Sequence, residues 1–270
     1  MRRGFVALTA LLLVTLLVQG CTDDGGSEGF GGPPAPLLVA LGDSIPLNDP
    51  GDCPGCTGFV ESYAAEVGAD DVNLARGGAL TRSIAEQVTS GAVADELADA
   101  DLVIVSWGGN DLPPYRQGYQ PCRVREPRSA LEAVDGVAAT TTECVDRVTR
   151  RLARAVSGAL AALDGQAPDA EVAVLAPYDF WLGSPVLEGA PPGSRRAALR
   201  VVAYAVRSWR DALCAIAAEA DATCIDLYAA FNGADGSRAA GELLAADHTH
   251  PSQAGNDLVR DLLIEARLLG

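Results

Sequence analysis

Five short apolar runs along the chain are bounded by turn residues, a pattern that predicts buried β-strands. The predicted strands are Leu37–Leu41, Asp71–Leu74, Leu102–Trp107, Glu171–Ala176 and Thr223–Leu227. Between them, apolar residues recur at spacings of three and four, which is the period of a helix. Strands that alternate with helices form a parallel sheet covered on both faces. The chain is therefore predicted to be an α/β protein: one domain, built as a three-layer α/β/α sandwich around a five-stranded parallel sheet.

Turn and capping residues predict where the helices begin and end. A helix that includes Phe59 is expected to stop at Gly68, because glycine adopts the left-handed conformation of a helix end. Two pairs have the spacing of a capping box and are predicted to open further helices: Ser83 with Glu86, and Thr140 with Glu143. The second of these helices is expected to end at Gly165. The remaining helices are predicted over two ranges, Ser194–Ala220 and Ser252–Leu268.

The stretch from Pro113 to Thr142 is predicted to be irregular, and it contains Cys122. A structureless stretch of this length is uncommon inside a domain, and such segments often act as lids or binding loops. The alternative is a surface excursion that is held by a disulfide and does not contact substrate. The composition of the segment favours neither interpretation.

Composition and charge exclude several classes of function. All 20 basic residues are arginines and face 36 acidic residues, so the formal net charge of the 270-residue chain is −16. The absence of lysine excludes Schiff-base chemistry and a P-loop lysine. A surface of this charge repels phosphate backbones, which argues against nucleic acid as a partner. The two histidines are His248 and His250, so any mechanism that needs an imidazole must use one of them.

The N-terminus has the pattern of an export signal. Arg2 and Arg3 precede an apolar run from Phe5 to Val18, which is too short to span a membrane comfortably. The residues that end at Cys21 resemble a bacterial lipobox, whose cysteine is lipidated and anchors the protein to the outer face of the cell membrane. The chain is predicted to comprise three segments: a lipoprotein signal peptide (1–20), a flexible tether (21–36) and the folded domain (37–270). The alternative is a plain secretory signal and a secreted protein.

Six further cysteines in an exported chain imply disulfides. Pairing between nearest neighbours is expected, with the bonds Cys53–Cys56, Cys122–Cys144 and Cys214–Cys224. The Cys-Pro-Gly-Cys segment could instead be a redox motif or half of a zinc site.

Four polar segments occupy positions where a parallel α/β sheet collects its ligands, beyond the carboxyl ends of the strands. Three belong to the ends of predicted strands and one precedes the last helix: Gly42-Asp43-Ser44-Ile45, Gly77-Gly78, Gly108-Gly109-Asn110-Asp111 and Asp247-His248-Thr249-His250-Pro251. Because strand ends of this kind share one edge of the sheet, the four segments are predicted to converge on one crevice.

The residues of this crevice predict nucleophilic catalysis by a serine. Ser44 is the expected nucleophile, and His250 is the expected base that removes its proton. Asp247, three residues before His250, is placed to hold the imidazole in the required tautomer. The backbone N–H groups of Ser44 and Gly78 and the side-chain amide of Asn110 are the expected oxyanion donors. This chemistry requires no metal and no organic cofactor.

In this order, the four segments resemble the sequence blocks of the SGNH or GDSL-type serine esterases and lipases. Ile45 stands where that family usually has leucine, and the cysteine arrangement resembles that of secreted actinobacterial members. The resemblance implies a flavodoxin-like fold and ester hydrolysis through an acyl-enzyme. It also implies a small-molecule, lipid or glycan ester as substrate, and we expect a monomer.

Several alternatives stay open at this point. His248 could replace His250 as the base, and Gly77 could replace Gly78 as the oxyanion donor. Asp247, His248 and His250 together could bind zinc. Four aromatic residues near strand ends either line a substrate pocket or only pack in the core: Trp107, Tyr178, Phe180 and Trp181. The alternative functions are a carbohydrate acetyl esterase of the same fold and a non-catalytic binding lipoprotein of the cell envelope.

Overall fold

A computed structural model of the chain describes residues 34–112 and 128–269. The predicted signal peptide, the lipidation site Cys21 and all but the last three residues of the predicted tether lie outside this range. Cys122 and residues 113–127 of the predicted lid also lie outside it. No helix within the described ranges is long and apolar enough to cross a membrane.

The described residues contain the predicted five-stranded parallel sheet. Its strands are β1 (Leu37–Leu41), β2 (Asp70–Asn73), β3 (Leu102–Ser106), β4 (Glu171–Ala176) and β5 (Thr223–Asp226). Neighbouring strands pair in parallel in the order β2-β1-β3-β4-β5. β2 begins one residue earlier than predicted because Asp70 pairs with Leu37 and its N–H bonds the Pro36 carbonyl at 2.8 Å. The prediction of an all-parallel α/β sheet is confirmed.

Ten α-helices lie within the described residues. They are α1 (Ser44–Leu47), α2 (Phe59–Val67), α3 (Thr81–Thr89), α4 (Ala94–Ala98), α5 (Ala130–Ala138), α6 (Thr142–Gln166), α7 (Pro185–Glu188), α8 (Pro192–Glu219), α9 (Leu227–Asn232) and α10 (Gln253–Glu265). Helix α2 ends as predicted, because Gly68 has a φ of 69° and caps it. The stretch predicted to be irregular from Pro113 to Thr142 instead contains α5.

Both predicted capping boxes are wrong by one to three residues. Ser83 is the third residue of α3, where its Oγ accepts a 3.1 Å hydrogen bond from the Leu80 N–H. Thr141, rather than Thr140, caps α6 and accepts from the Cys144 N–H at 3.2 Å. Thr140 is used differently because it closes the preceding helix α5, where its hydroxyl donates to the Gly136 carbonyl. Neighbouring threonines therefore serve two helices, a division that the capping spacing alone does not reveal.

The boundaries of the last long helices also differ from the prediction by a few residues. Helix α8 begins two residues earlier than expected, since Pro192 fits the first turn of a helix. Helix α10 is capped by Ser252, whose hydroxyl accepts from the Gly255 N–H at 3.2 Å. It ends three residues before the predicted Leu268. Helix α6 ends one residue after the predicted Gly165.

Alternate strand residues point to opposite faces of the sheet, and each face is covered by helices. One face packs against α3, α6 and α8, and its strand residues include Val39, Leu41, Val103, Val105, Val174 and Ala176. The other face packs against α2 and α10, and its strand residues include Leu38, Ala40, Leu102, Ile104, Ala173 and Leu175. The three-layer sandwich is therefore confirmed. It holds the carboxyl ends of β1 and β3 side by side, where the predicted site residues lie.

Two of the predicted disulfides lie within the described residues. Cys53 bonds Cys56, and Cys214 bonds Cys224, which ties α8 to β5. The first bond argues against a zinc half-site at the Cys-Pro-Gly-Cys segment, because zinc is bound by free thiolates. The redox alternative stays a prediction, since a disulfide is also the oxidised form of such a motif. Cys144 is also disulfide-bonded, but its predicted partner Cys122 lies outside the described residues.

The turn that follows β3 depends on a glycine. Gly108 has a φ of 92°, and a Cβ there would lie 2.0 Å from Nε1 of the buried Trp209. That indole N–H donates to the Trp107 carbonyl at 2.8 Å. Trp209 thus packs where a side chain at position 108 would have to go, and the turn carries Asn110 two residues later.

Replacing Gly108 by alanine is expected to lower the free energy of unfolding by about 3 kcal/mol, from overpacking and an unfavourable φ together. Gly158 is the matched control, because it lies within α6 and nothing is within 4 Å of an added Cβ. Gly158→Ala should raise stability by about 0.5–1 kcal/mol. Urea unfolding measures both variants. Equal stability of Gly108→Ala and the wild type would contradict the packing described here.

Candidate active site

The turn between β1 and α1 presents Ser44 at the carboxyl edge of the sheet. Asp43 caps α1, and its Oδ1 accepts hydrogen bonds from the Ile45 N–H at 3.0 Å and the Ser106 hydroxyl at 2.9 Å. The Ser106 Oγ in turn accepts from the Asp43 N–H at 3.1 Å. A Cβ at Gly42 would lie 2.2 Å from that Oγ, so this residue must be glycine. The predicted Gly-Asp-Ser segment therefore forms a turn locked onto β3.

Asp43 is almost fully buried beneath this turn. Burial raises the pKa of its carboxyl, and the hydrogen bonds from Ile45 and Ser106 oppose that rise only in part. Asp43 thus holds the backbone that carries Ser44. Ser106, which completes this support, has no motif signal in the sequence, because it reads as an ordinary strand residue.

Ser44, His250 and Asp247 form a continuous line of hydrogen bonds. The Ser44 Oγ lies 2.9 Å from Nε2 of His250, and Nδ1 of the same ring lies 2.5 Å from Oδ2 of Asp247. The other oxygen of Asp247 accepts from the N–H groups of Thr249 and His250 at 2.9 and 3.1 Å. A carboxylate on Nδ1 keeps the proton there and leaves the Nε2 lone pair directed at the hydroxyl.

The charge state of Asp247 suits this arrangement. Partial burial raises the pKa of its carboxyl, but the hydrogen bonds from the His250 ring and from two backbone N–H groups outweigh that effect. The pKa of Asp247 therefore lies below its ordinary value, and the group is a carboxylate at neutral pH.

The loop that carries His250 is held at both ends. Leu244 and Pro251 form an antiparallel bridge, and the Tyr178 hydroxyl donates to the Thr249 carbonyl at 2.7 Å. His248 is exposed and has a φ of 58°, a left-handed conformation that turns the chain between Asp247 and Thr249. The group of possible metal-ligating side chains found among the described residues contains Asp52, Asp247 and His250, and His248 is not in it.

The third predicted segment is hydrogen-bonded to the residues that directly follow the second. Asn110 is buried in the turn after β3, and its Nδ2 donates to the Ala79 carbonyl at 3.0 Å. Asp111 accepts from the Thr81 N–H at 2.7 Å. Burial raises the pKa of its carboxyl, and hydrogen bonding to Thr81 lowers it in part. Gly78 has a φ of 72° directly before Ala79. Asn110 and Gly78 are thus brought together, and the choice between Gly77 and Gly78 as the donor stays a prediction.

Asp52 is a residue of this site that the sequence analysis did not single out. Its Oδ2 lies 3.5 Å from Nε2 of His250, on the side of the ring that faces Ser44. It directly precedes Cys53, the first cysteine of the Cys53–Cys56 disulfide. The sequence carries no signal for this contact, since Asp52 and His250 are far apart along the chain.

An apolar pocket adjoins the site on the side of β3 and β4. Its lining includes Asp43 and Ile45, the neighbours of Ser44, together with Trp107, Tyr178, Phe180 and Val202. Three of the four aromatic residues named from the sequence therefore line this pocket. The fourth, Trp181, is buried in the core cluster that packs on the same face of the sheet. The pocket reaches the two neighbours of Ser44, and Ser44 itself is not part of its lining.

The pocket also contains a buried carboxyl, Asp179, that the sequence analysis missed. It is only 2% exposed, and its Oδ1 accepts from the N–H groups of Trp181 and Leu182. Burial raises its pKa from 3.8 to about 6, with those two hydrogen bonds acting in the opposite direction.

The raised pKa of Asp179 predicts a pH-dependent stability. Between about pH 4 and pH 6 the folded protein holds a proton that the unfolded chain has lost, so stability falls as the pH rises through this window. Asp179→Asn keeps an oxygen for the two N–H groups and removes the charge. We expect it to raise the free energy of unfolding by about 2–3 kcal/mol at pH 8 and to leave it unchanged below pH 4. Urea unfolding at both pH values tests this, and equal stability at pH 8 would contradict it.

The comparisons with known proteins agree with this architecture. Residues 40–258 match the GDSL-like Lipase/Acylhydrolase family. The lipase Lip_vut3 from a goat rumen metagenome is 18% identical, with a TM-score of 0.61 over 87% of this chain and 98% of that one. Phospholipase A1 from Streptomyces albidoflavus NA297 is 20% identical, with a TM-score of 0.60 over 86% and 99% of the two chains. An extracellular lipase from Streptomyces rimosus, also 20% identical, has a TM-score of 0.58 over 86% and 100%.

At these identities the solved structures establish the fold, and the family match establishes the relationship. No curated protein matches the chain by sequence. The family match covers well over half of the chain and includes all four of the segments predicted to converge. The chain therefore belongs to the GDSL-like lipase and acylhydrolase family and is an ester-hydrolysing enzyme.

Proposed function

We propose that the protein is a serine ester hydrolase that works through an acyl-enzyme on Ser44. The observation that carries this proposal is the line of hydrogen bonds from Ser44 Oγ through the His250 ring to Asp247, with lengths of 2.9 and 2.5 Å. A serine hydroxyl is a weak nucleophile until a base takes its proton, and this line supplies the base and its orienting group. His250, rather than His248, is the base in this proposal.

The reaction proceeds in two halves. The Ser44 oxygen bonds the ester carbonyl carbon while Nε2 of His250 takes the hydroxyl proton, and the carbonyl oxygen becomes an oxyanion. The protonated His250 then gives this proton to the leaving alcohol as the carbon–oxygen bond breaks. Water, deprotonated by His250, attacks the acyl-enzyme in the same way and releases the acid. Asp247 stabilises the imidazolium that forms in each half.

The oxyanion is held by the backbone N–H groups of Ser44 and Gly78 and by the amide of Asn110. A side-chain amide has two N–H donors. The bond to the Ala79 carbonyl uses one of them and orients the group, and we assign the second to the oxyanion. Each preorganised donor of this kind contributes about 10²- to 10³-fold to kcat.

The apolar share of the pocket near Ser44 supports an acyl ester as the substrate. Ile45, Phe180 and Val202 contribute apolar surface, while the carboxyls of Asp43 and Asp179 are the charged part of the lining. We therefore place a carboxylesterase or lipase-like activity ahead of carbohydrate acetyl esterase activity. No metal or organic cofactor takes part in these steps. We further propose that the protein is exported, anchored to the membrane by a lipid on Cys21, and monomeric.

A fluorophosphonate probe tests the proposed nucleophile directly, because it bonds only to an activated serine. We expect stoichiometric labelling of Ser44, identified by peptide mass spectrometry, and no labelling of the His250→Asn variant. Folded wild-type protein that fails to label would favour the alternative of a non-catalytic binding lipoprotein.

A series of p-nitrophenyl esters tests the preference for the acyl group: kcat/KM should rise from acetate to longer chains. A maximum at acetate would favour the acetyl esterase.

A further inference from the structure

One carboxylate at the site, that of Asp52, has no role in the proposed ester hydrolysis. Nε2 of His250 faces two oxygens, the Ser44 Oγ at 2.9 Å and the Asp52 Oδ2 at 3.5 Å. Ser44 uses the Nε2 lone pair in the proposed mechanism. Asp52 is neither a neighbour of Ser44 in sequence nor part of the oxyanion donors.

The loop that carries Asp52 is fixed to the helix that follows His250. The Cys53–Cys56 disulfide closes the loop, and the Asp52 N–H bonds the Asp49 carbonyl at 2.9 Å. Beyond the disulfide, the Thr57 N–H donates to Oε1 of Gln253 at 2.9 Å. The Phe59 N–H, two residues later, donates to the Asn256 side chain at 3.2 Å. The separation of Asp52 from His250 is therefore set by the fold.

This separation matches that of two ligands on one tetrahedral zinc ion. Zn–N bonds of about 2.0–2.1 Å and Zn–O bonds of about 2.0–2.2 Å, at the tetrahedral angle, place the nitrogen and oxygen about 3.4 Å apart. The observed distance between Nε2 and Oδ2 is 3.5 Å. The Ser44 oxygen lies 2.9 Å from the same nitrogen, which makes it the third oxygen or nitrogen atom at this position.

The contact at the other ring nitrogen, Nδ1, also suits zinc binding by His250. Histidines that ligate zinc usually donate their other N–H to a carboxylate, which fixes the tautomer and makes the ligating nitrogen more basic. Asp247 does this at Nδ1, 2.5 Å away. Because Asp247 bonds Nδ1, it supports the ring and is not itself placed to ligate an ion at Nε2. Asp52 and Asp247 together balance the charge of a divalent cation, and the net charge of −16 favours its approach.

We infer that His250 Nε2, Asp52 Oδ2 and Ser44 Oγ form a binding site for one Zn²⁺ ion that inhibits the enzyme. The ion takes the Nε2 lone pair that otherwise accepts the Ser44 proton, so a zinc-loaded site has no base and no free nucleophile. Binding is reversible and involves no change of oxidation state. Mg²⁺ is excluded as an equivalent, since it requires six ligands in near-octahedral geometry and favours oxygen over imidazole.

Calorimetric titration of the full-length, tag-free protein with ZnCl₂ tests the site without reference to activity. We expect one Zn²⁺ per chain, at least tenfold weaker binding to Asp52→Asn, and no binding at this site by His250→Asn. Asp49→Asn is the matched control because it removes an equal charge from the same loop, away from Nε2. His248→Asn removes the other histidine. Both controls should bind Zn²⁺ as the wild type does.

Ester hydrolysis gives the second measurement, with each variant compared with its own zinc-free rate. Saturating Zn²⁺ should lower the wild-type rate at least tenfold, and Asp52→Asn should need at least ten times more Zn²⁺ for half inhibition. The inference is overturned if the wild type binds no Zn²⁺, if Asp52→Asn binds it as tightly, if His248→Asn loses it, or if Mg²⁺ inhibits equally. This inference builds on the proposed function only for inhibition. If no ester is hydrolysed, the titration still decides whether the metal site exists.

Discussion

Replacing Ser44 by alanine is expected to lower kcat about 10⁶-fold while the protein keeps its fold. The variant has no oxygen to bond the ester carbonyl, so only the oxyanion donors and substrate binding can still accelerate hydrolysis by water. The fold should survive because the contact of the Ser44 hydroxyl with the His250 side chain is only partly buried, and the turn is held by Asp43. Hydrolysis of a p-nitrophenyl ester and thermal unfolding measure the two properties.

Ser157→Ala is the matched control for this loss. Ser157 lies in α6 and its hydroxyl donates only to the Ala153 carbonyl, four residues earlier in the same helix. Its kcat should equal that of the wild type. A Ser44→Ala protein that hydrolyses esters at the wild-type rate would end the assignment of Ser44 as the nucleophile.

Replacing Asp247 by asparagine is expected to lower kcat about 10⁴-fold. An amide N–H in place of Oδ2 would donate to Nδ1 and move the imidazole proton to Nε2, where the ring can no longer accept the Ser44 proton. The remaining oxygen can still accept from the N–H groups of Thr249 and His250, so the turn should persist. The measurement is kcat at neutral pH, with circular dichroism to confirm the fold.

Asp261→Asn provides the comparison, because it removes one negative charge from the exposed face of α10. Its kcat should stay within a factor of two of the wild-type value. A loss of less than tenfold in Asp247→Asn would show that the short contact to Nδ1 does not set the tautomer of His250.

The sequence was sufficient to predict the sheet because its strands are buried on both faces. Such strands appear as continuous apolar runs, and Leu102–Ser106 and Glu171–Ala176 were found to within one residue. The edge strand β2 begins with two exposed aspartates, and its bounds were predicted one residue too late. Helix α5 was missed although Ser129 and Glu132 have the spacing of a capping box, because the whole stretch from Pro113 to Thr142 was interpreted as irregular. Its true cap, Ser129, is confirmed only by the bond from the Glu132 N–H.

Within the candidate site, the predicted residues share a local signal that the missed ones lack. Ser44, Asn110 and His250 each lie in a short polar segment at the end of a strand or the start of a helix, where parallel topology places ligands. Asp52, Ser106 and Asp179 are ordinary in their local sequence. Asp52 and Ser106 are defined by partners distant along the chain, His250 and Asp43 respectively, and Asp179 is defined by its burial in the folded core.

What the amino-acid order determined by itself is the alternation of strands and helices, the export pattern and the four polar segments, because all of these are local patterns of a few residues. Only the tertiary structure decided that Ser44 and His250, 206 residues apart, lie 2.9 Å from each other, and that the Asp52 carboxylate lies 3.5 Å from the same ring nitrogen. It also decided that the neighbours of Ser44 line a pocket. Distances between such residues follow from how helices pack on the sheet, and packing depends on the whole core rather than on any one segment.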